Sequence, residues 1–174
     1  MTRYLVTLAL LLTSAASWAD QALFNNAGGY GCVACHGKYA HGGNNVGGNI
    51  RGASLQALND ALANEPTMQL LGPQLSQPQR ESLVSYLASL NQYQMVEWRL
   101  SNQASTLKAN FLPKQPLQLI IFNGTLNTVS LDLSPLGREG NLTIAAYDTQ
   151  SVEWQPNADN YSLTINDQQL VLSK

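Results

Sequence analysis

The chain has 174 residues, with 9 Lys and Arg against 11 Asp and Glu and a formal net charge of −2. Charged residues make up 11%, well below the usual share of ~25%. So sparse and balanced a charge excludes binding driven by phosphate or anionic-lipid electrostatics.

Residues 1–19 read as a secretory signal. Arg3 gives a basic start, Tyr4 to Leu12 an apolar core, and Ser17-Trp18-Ala19 small residues at the two positions a signal peptidase reads. Cleavage is expected after Ala19, which places the mature chain in the periplasm or outside the cell. The apolar run falls short of the ~20 residues of a membrane span, so no transmembrane span is expected in the mature chain.

Residues 20–92 carry helical patterns. Asp20 opens a short helix through Leu23 and Phe24 that stops at Gly28-Gly29. A Gly/Asn-rich loop, "HGGNNVGGNIRG" (41–52), leads to Ser54, which starts a helix with Leu55, Leu58 and Leu62 on one face. Pro66 ends it. Ser76 and Gln79 form a capping box, with Pro78 in the first turn, for a helix carrying Leu83, Val84, Leu87 and Leu90.

Residues 93–114 read as a linker or transitional segment, containing the apolar "MVEWRL" (95–100) and the linker-like "SNQAS" (101–105). From 115 to 174 the period changes. "LQLIIF" (117–122), "VSLDL" (129–133), "LTIAAY" (142–147), "SVEW" (151–154), "YSLTI" (161–165) and "QLVL" (169–172) predict short strands separated by turn residues. A small antiparallel sandwich-like domain is the expected result.

Both cysteines of the chain fall in "GCVACHG" (31–37). Cys32-Val33-Ala34-Cys35-His36 is a C-x-x-C-H motif, whose cysteines and histidine share one helical face. Two thioethers and an iron-binding histidine are what attachment of one covalent haem c requires. A thioredoxin-like motif would need a surrounding βαβ unit. A zinc site needs four ligands, and Cys32, Cys35, His36 and His41 are squeezed into ten residues. A disulfide between i and i+3 would staple little. Arg51 is a candidate for a haem propionate, since its guanidinium matches carboxylates bidentately.

Together with "LFNNAGGYGCVACHG" (23–37) and "LSQPQRESLVSYLASL" (75–90), the motif resembles class I mono-haem c-type cytochromes. The resemblance covers residues 20–92 and implies an all-α cytochrome c-like haem domain. It implies that Phe24 and Tyr86 pack where the first and last helices cross, and that Met68, before the last helix, joins His36 as an axial iron ligand. Met95 and His41 are its rivals. The expected function is a one-electron carrier for redox partner proteins in the periplasm, not an enzyme. The alternatives are a haem enzyme or gas or peroxide sensor with an open distal site, and a binding module whose β domain docks a protein or polysaccharide. No His, Cys or Met follows Met95, which excludes a blue-copper site in the β region.

Overall fold

The computed structural model describes residues 20–43 and 46–174; the expected signal lies outside them. The chain divides into two compact units, Met1–Asn91 and Gln92–Lys174.

In the first unit, residues 20–26 form α1, Val33–His36 α2, Leu55–Asn64 α3 and Gln77–Leu90 α4. Ser54 caps α3 by accepting a hydrogen bond from the Ala57 N–H at 3.1 Å. Glu65, the residue before Pro66, is extended and ends the helix. At α4 the Ser76 N–H donates to Gln79 Oε1 at 2.9 Å, the backward half of the capping box. Phe24, Leu62, Leu75, Leu83, Tyr86, Leu87 and Leu90 form one apolar cluster. Leu62 in α3 and Leu83, Leu87 and Leu90 in α4 are those placed on one face by the 3.6-residue period. The Phe24 and Tyr86 rings sit 5.4 Å apart, tilted by 49°, joining α1 to α4.

Arg80 holds the connection between α3 and α4. Its Nε donates to the Leu75 carbonyl at 3.0 Å, Nη2 to the Gly72 carbonyl at 2.8 Å and Nη1 to Asn59 Oδ1 at 2.8 Å. Three charge-assisted bonds thus fix the stretch that follows Met68.

The second unit holds eight strands: β1 Gln94–Leu100, β2 Ser105–Asn110, β3 Leu117–Asn123, β4 Val129–Asp132, β5 Asn141–Ile144, β6 Thr149–Trp154, β7 Asn160–Ile165 and β8 Gln168–Ser173. They form sheets of order β1-β3-β6, β2-β8-β7 and β4-β5. β1 runs parallel to β3, with Val96 opposite Leu119 and Trp98 opposite Ile121. β2 runs parallel to β8, with Leu107 opposite Leu170. The other pairs are antiparallel. Inward residues of all three sheets, including Trp98, Leu119, Leu131, Ile144, Leu163 and Leu170, share one core.

Two expectations are corrected here. Strands β1 and β2 occupy most of the segment expected as transitional over 93–114. The expected fold, an all-α haem domain followed by a small antiparallel sandwich, gives way to a chain in which strands predominate and two of the strand pairs are parallel. Parallel strands need a long crossover, so their partners lie far along the chain and leave no local mark.

Candidate functional site

The cysteine turn is built by its neighbours. The Cys32 N–H donates to the Phe24 carbonyl at 2.8 Å and the Gly31 N–H to the Ala27 carbonyl at 2.9 Å, which fastens the turn to α1. Gly31 has φ +71°, and a Cβ there would lie 2.0 Å from the Asn25 carbonyl oxygen; only glycine fits. The His36 N–H donates to the Cys32 carbonyl at 2.9 Å, closing the α2 turn that puts both sulfurs and the imidazole on one side.

The following loop is laced back onto this turn. The Gly47 N–H donates to the Cys35 carbonyl, and the Gly42 N–H to the His36 carbonyl, both at 2.8 Å. His36 Nδ1 lies 3.1 Å from the Gly48 carbonyl oxygen. A carbonyl can only accept, so Nδ1 carries a hydrogen, and in the neutral ring the lone pair falls on Nε2. Gly47 packs close to the ring; a Cβ there would come within 2.6 Å of His36 Cε1 and Nδ1.

Cys32, Cys35, His36 and Met68 line one cavity of about 500 Å³. Its walls are largely apolar, with Ile50 from the loop, Leu58 and Ala61 from α3, Leu71 from the connection between α3 and α4, Leu87 from α4, and with Glu65 and Thr67 as polar members. This volume suits a bulky organic ligand. Both cysteines are free thiols; Cys32 is buried and Cys35 half-buried. Burial pushes the Cys32 thiol above its ordinary pKa, with the neighbouring Cys35 adding to the rise and a backbone hydrogen bond opposing it. Cys32 therefore stays protonated and neutral at neutral pH.

Of the residues singled out from the sequence, Cys32, Cys35, His36 and Met68 come together, although Met68 is 32 positions beyond His36. Arg51 does not line the cavity: its Nη2 donates to the Leu90 carbonyl at the end of α4. An arginine suits the negative end of a helix. His41 also lies outside the lining and bridges to Asn49. Met95 falls in β1 of the other unit. Sequence reasoning missed the cradle role of Gly47 and Gly48; the glycine pairs of the loop were visible, their target was not.

No protein-family model matches the chain, and no curated protein matches it. Solved structures that align with it include the copper(I)-bound metal-binding domain of a copper(I)-exporting P-type ATPase from Streptococcus pneumoniae, at 11% identity and a TM-score of 0.38, over 48% of this chain and 86% of that one. A copper-binding protein solved by NMR in its apo form aligns at 11% identity and a TM-score of 0.32, over 48% of this chain and 90% of that one. Likenesses this slight say nothing of what this chain binds.

These findings correct the class I cytochrome expectation. Among the described residues eight strands stand beside four helices, and no family model, of a cytochrome or otherwise, matches the chain. Among the described residues no group of three or more His, Cys, Asp or Glu side chains could hold a metal ion. Membership of that family, covalent haem c, the one-electron carrier and the haem-enzyme and gas-sensor alternatives are all set aside. A C-x-x-C-H turn is a short local signal, and the rest of the chain does not carry it to a family.

Proposed function

We propose that the first unit is a binding module for a bulky, largely apolar ligand, held in the cavity between the cysteine turn and helices α3 and α4. The carrying observation is the convergence of two thiols, an imidazole and a thioether on one apolar cavity of about 500 Å³. The apolar walls supply affinity by removing ligand surface from water. His36 Nε2 is the polar anchor, its ring set by the Gly48 carbonyl. Cys32 and Cys35 supply soft sulfur contacts, and Met68 an adaptable one. A lone metal ion suits this space poorly, since ligand atoms must close to within ~2.0–2.3 Å of such an ion.

The protein is a binder rather than an enzyme in this reading, and it works outside the cytoplasm, as the leader suggests. Among the described residues no helix is long and apolar enough to cross a membrane. Its partners are proteins of that compartment, with the β unit available for docking to protein or polysaccharide.

Titration of the full chain with 8-anilinonaphthalene-1-sulfonate, alongside the denatured mass of protein recovered from its native compartment, tests the proposal. The expected result is saturable dye binding that Ala61→Phe, which fills the cavity, abolishes. Equal binding by the filled variant would overturn the reading. Mass beyond that of the mature chain, lost with Cys32→Ala and Cys35→Ala together, would identify an occupant attached through sulfur.

A further inference from the structure

The second unit carries a pocket unrelated to the cysteine turn. The β1–β2, β3–β4 and β7–β8 connections meet around a space of about 160 Å³ whose lining includes Asn102, Gln103, Thr125, Asn127, Asp167 and Gln168. Its base is organised in advance. Gln168, 4% exposed, donates through Nε2 to the Ser101 carbonyl at 2.6 Å, and its Oε1 accepts from the Ser101 N–H and Ser105 Oγ, each at 3.2 Å. Thr125, also buried, donates through Oγ1 to Asn123 Oδ1 at 2.7 Å. Asn102, Gln103 and Asn127 at the rim are exposed.

The chemistry of this lining is narrow. It contains no Lys, Arg, His or Cys, which disfavours an anion or a soft metal. Asp167 is its one carboxylate, too little charge for a calcium-type site, which gathers 6–8 oxygen ligands. Side-chain amides and hydroxyls both donate and accept, and that dual capacity matches a ligand made of hydroxyl groups.

An exposed aromatic stands on the adjoining turn. Asn123 Nδ2 donates to the carbonyls of Asn127 at 2.8 Å, Ala145 at 2.9 Å and Ile144 at 3.1 Å. The Asn123 N–H donates to the Asp148 carbonyl at 2.9 Å. One buried side chain thus ties the pocket loop to the turn bearing Tyr147. Tyr147 is 61% exposed and sits at φ +57°, a left-handed conformation that is costly for a bulky residue. Strain of this kind, kept on an exposed ring that contributes nothing to the core, is characteristic of functional positions.

We propose that this end of the second unit binds a neutral carbohydrate, with the amide-lined pocket taking the hydroxyls of one sugar and Tyr147 stacking on the apolar face of a neighbouring one. The site is independent of the cavity in the first unit. Calorimetric titration of the full chain with cellotriose, maltotriose, chitotriose and mannotriose at millimolar concentration tests it.

Saturable binding of at least one trisaccharide is expected, weakened about tenfold by Gln103→Ala with Asn127→Ala, as loss of a net hydrogen bond would give. Tyr147→Gly should also weaken binding while raising the melting temperature, because glycine relieves the left-handed backbone. The cavity-filled Ala61→Phe variant should bind sugar normally, which separates failure of this site from failure of the other. Absence of binding to all four sugars, or binding unchanged in both pocket and Tyr147 variants, would overturn the proposal.

Discussion

His36 Nδ1 faces the carbonyl oxygen of Gly48 at 3.1 Å, a contact made across twelve residues. The adjoining Gly47 backbone leaves no room for a side chain beside the ring. This pairing sets the tautomer of the imidazole that lines the cavity.

Gly47→Ala would therefore drive a methyl group into the His36 ring and the Cys35 carbonyl. Overpacking of this kind costs roughly 1–3 kcal/mol. Chemical denaturation should show a loss in that range, with changed His36 ring resonances in the proton NMR spectrum. A variant with native stability and an unmoved His36 signal would contradict the cradle.

Phe24 is fully buried against Tyr86. Phe24→Ala should cost ~3–5 kcal/mol. In a double-mutant cycle with Tyr86→Leu, a coupling of about 0.5–1.5 kcal/mol should remain beyond area burial. Urea melts of the four proteins provide the check, and simple additivity would refute the ring contact.

Cys32 carries a pH dependence. Its folded pKa is raised by burial, so the folded state holds the thiol proton after the unfolded chain has lost it. The contribution is fully present below the ordinary thiol pKa of ~8.5 and is lost as pH rises through the raised folded value. The urea midpoint should fall on going from neutral to alkaline pH, and Cys32→Ala should flatten that limb. Because Cys35 is the less buried thiol, peptide mapping after brief alkylation should find it modified first.

Arg80→Ala would release the Leu75 and Gly72 carbonyls and Asn59 together. A loss of about 2 kcal/mol or more is expected, since hydrogen bonds to charged groups contribute ~1.5–3 kcal/mol each. Hydrogen exchange should quicken along the Met68–Leu75 stretch. Unchanged protection there would show that the arginine does not hold it.

Asn123 is fully buried and joins Thr125, Asn127, Ile144 and Ala145. Asn123→Leu would take the Nδ2 donor from the Asn127, Ile144 and Ala145 carbonyls and the Oδ1 acceptor from the Thr125 N–H and hydroxyl, at ~1–3 kcal/mol for each group left unsatisfied. Thermal denaturation should show the second unit strongly destabilised, and native-like melting would refute the network.

Periodicity and punctuation determined much that is local. The leucine faces of α3 and α4, their Ser54 and Ser76 starts, and the alternating strands from Leu117 onward follow from nearest-neighbour chemistry, so the sequence alone carried them. The C-x-x-C-H turn was equally legible, because three reactive side chains in five residues are a local fact. The family and cofactor inferred from that turn did not hold for the chain as a whole.

What is distant in the chain only the tertiary structure decided. Val96, Trp98 and Leu100 alternate with charged residues, but the partner of their strand begins at Leu117, and a parallel pairing has no hairpin turn to announce it. Arg51 could have served a ligand on charge alone; the nearby carbonyl of Leu90 claims it instead. The cavity that gathers Cys32, His36 and Met68, and the loop meeting that brings Gln103, Asn127 and Asp167 to one pocket, depend on packing between segments far apart in sequence. Residue identity sets what each side chain can do, and the long-range closure of the chain sets which of them do it together.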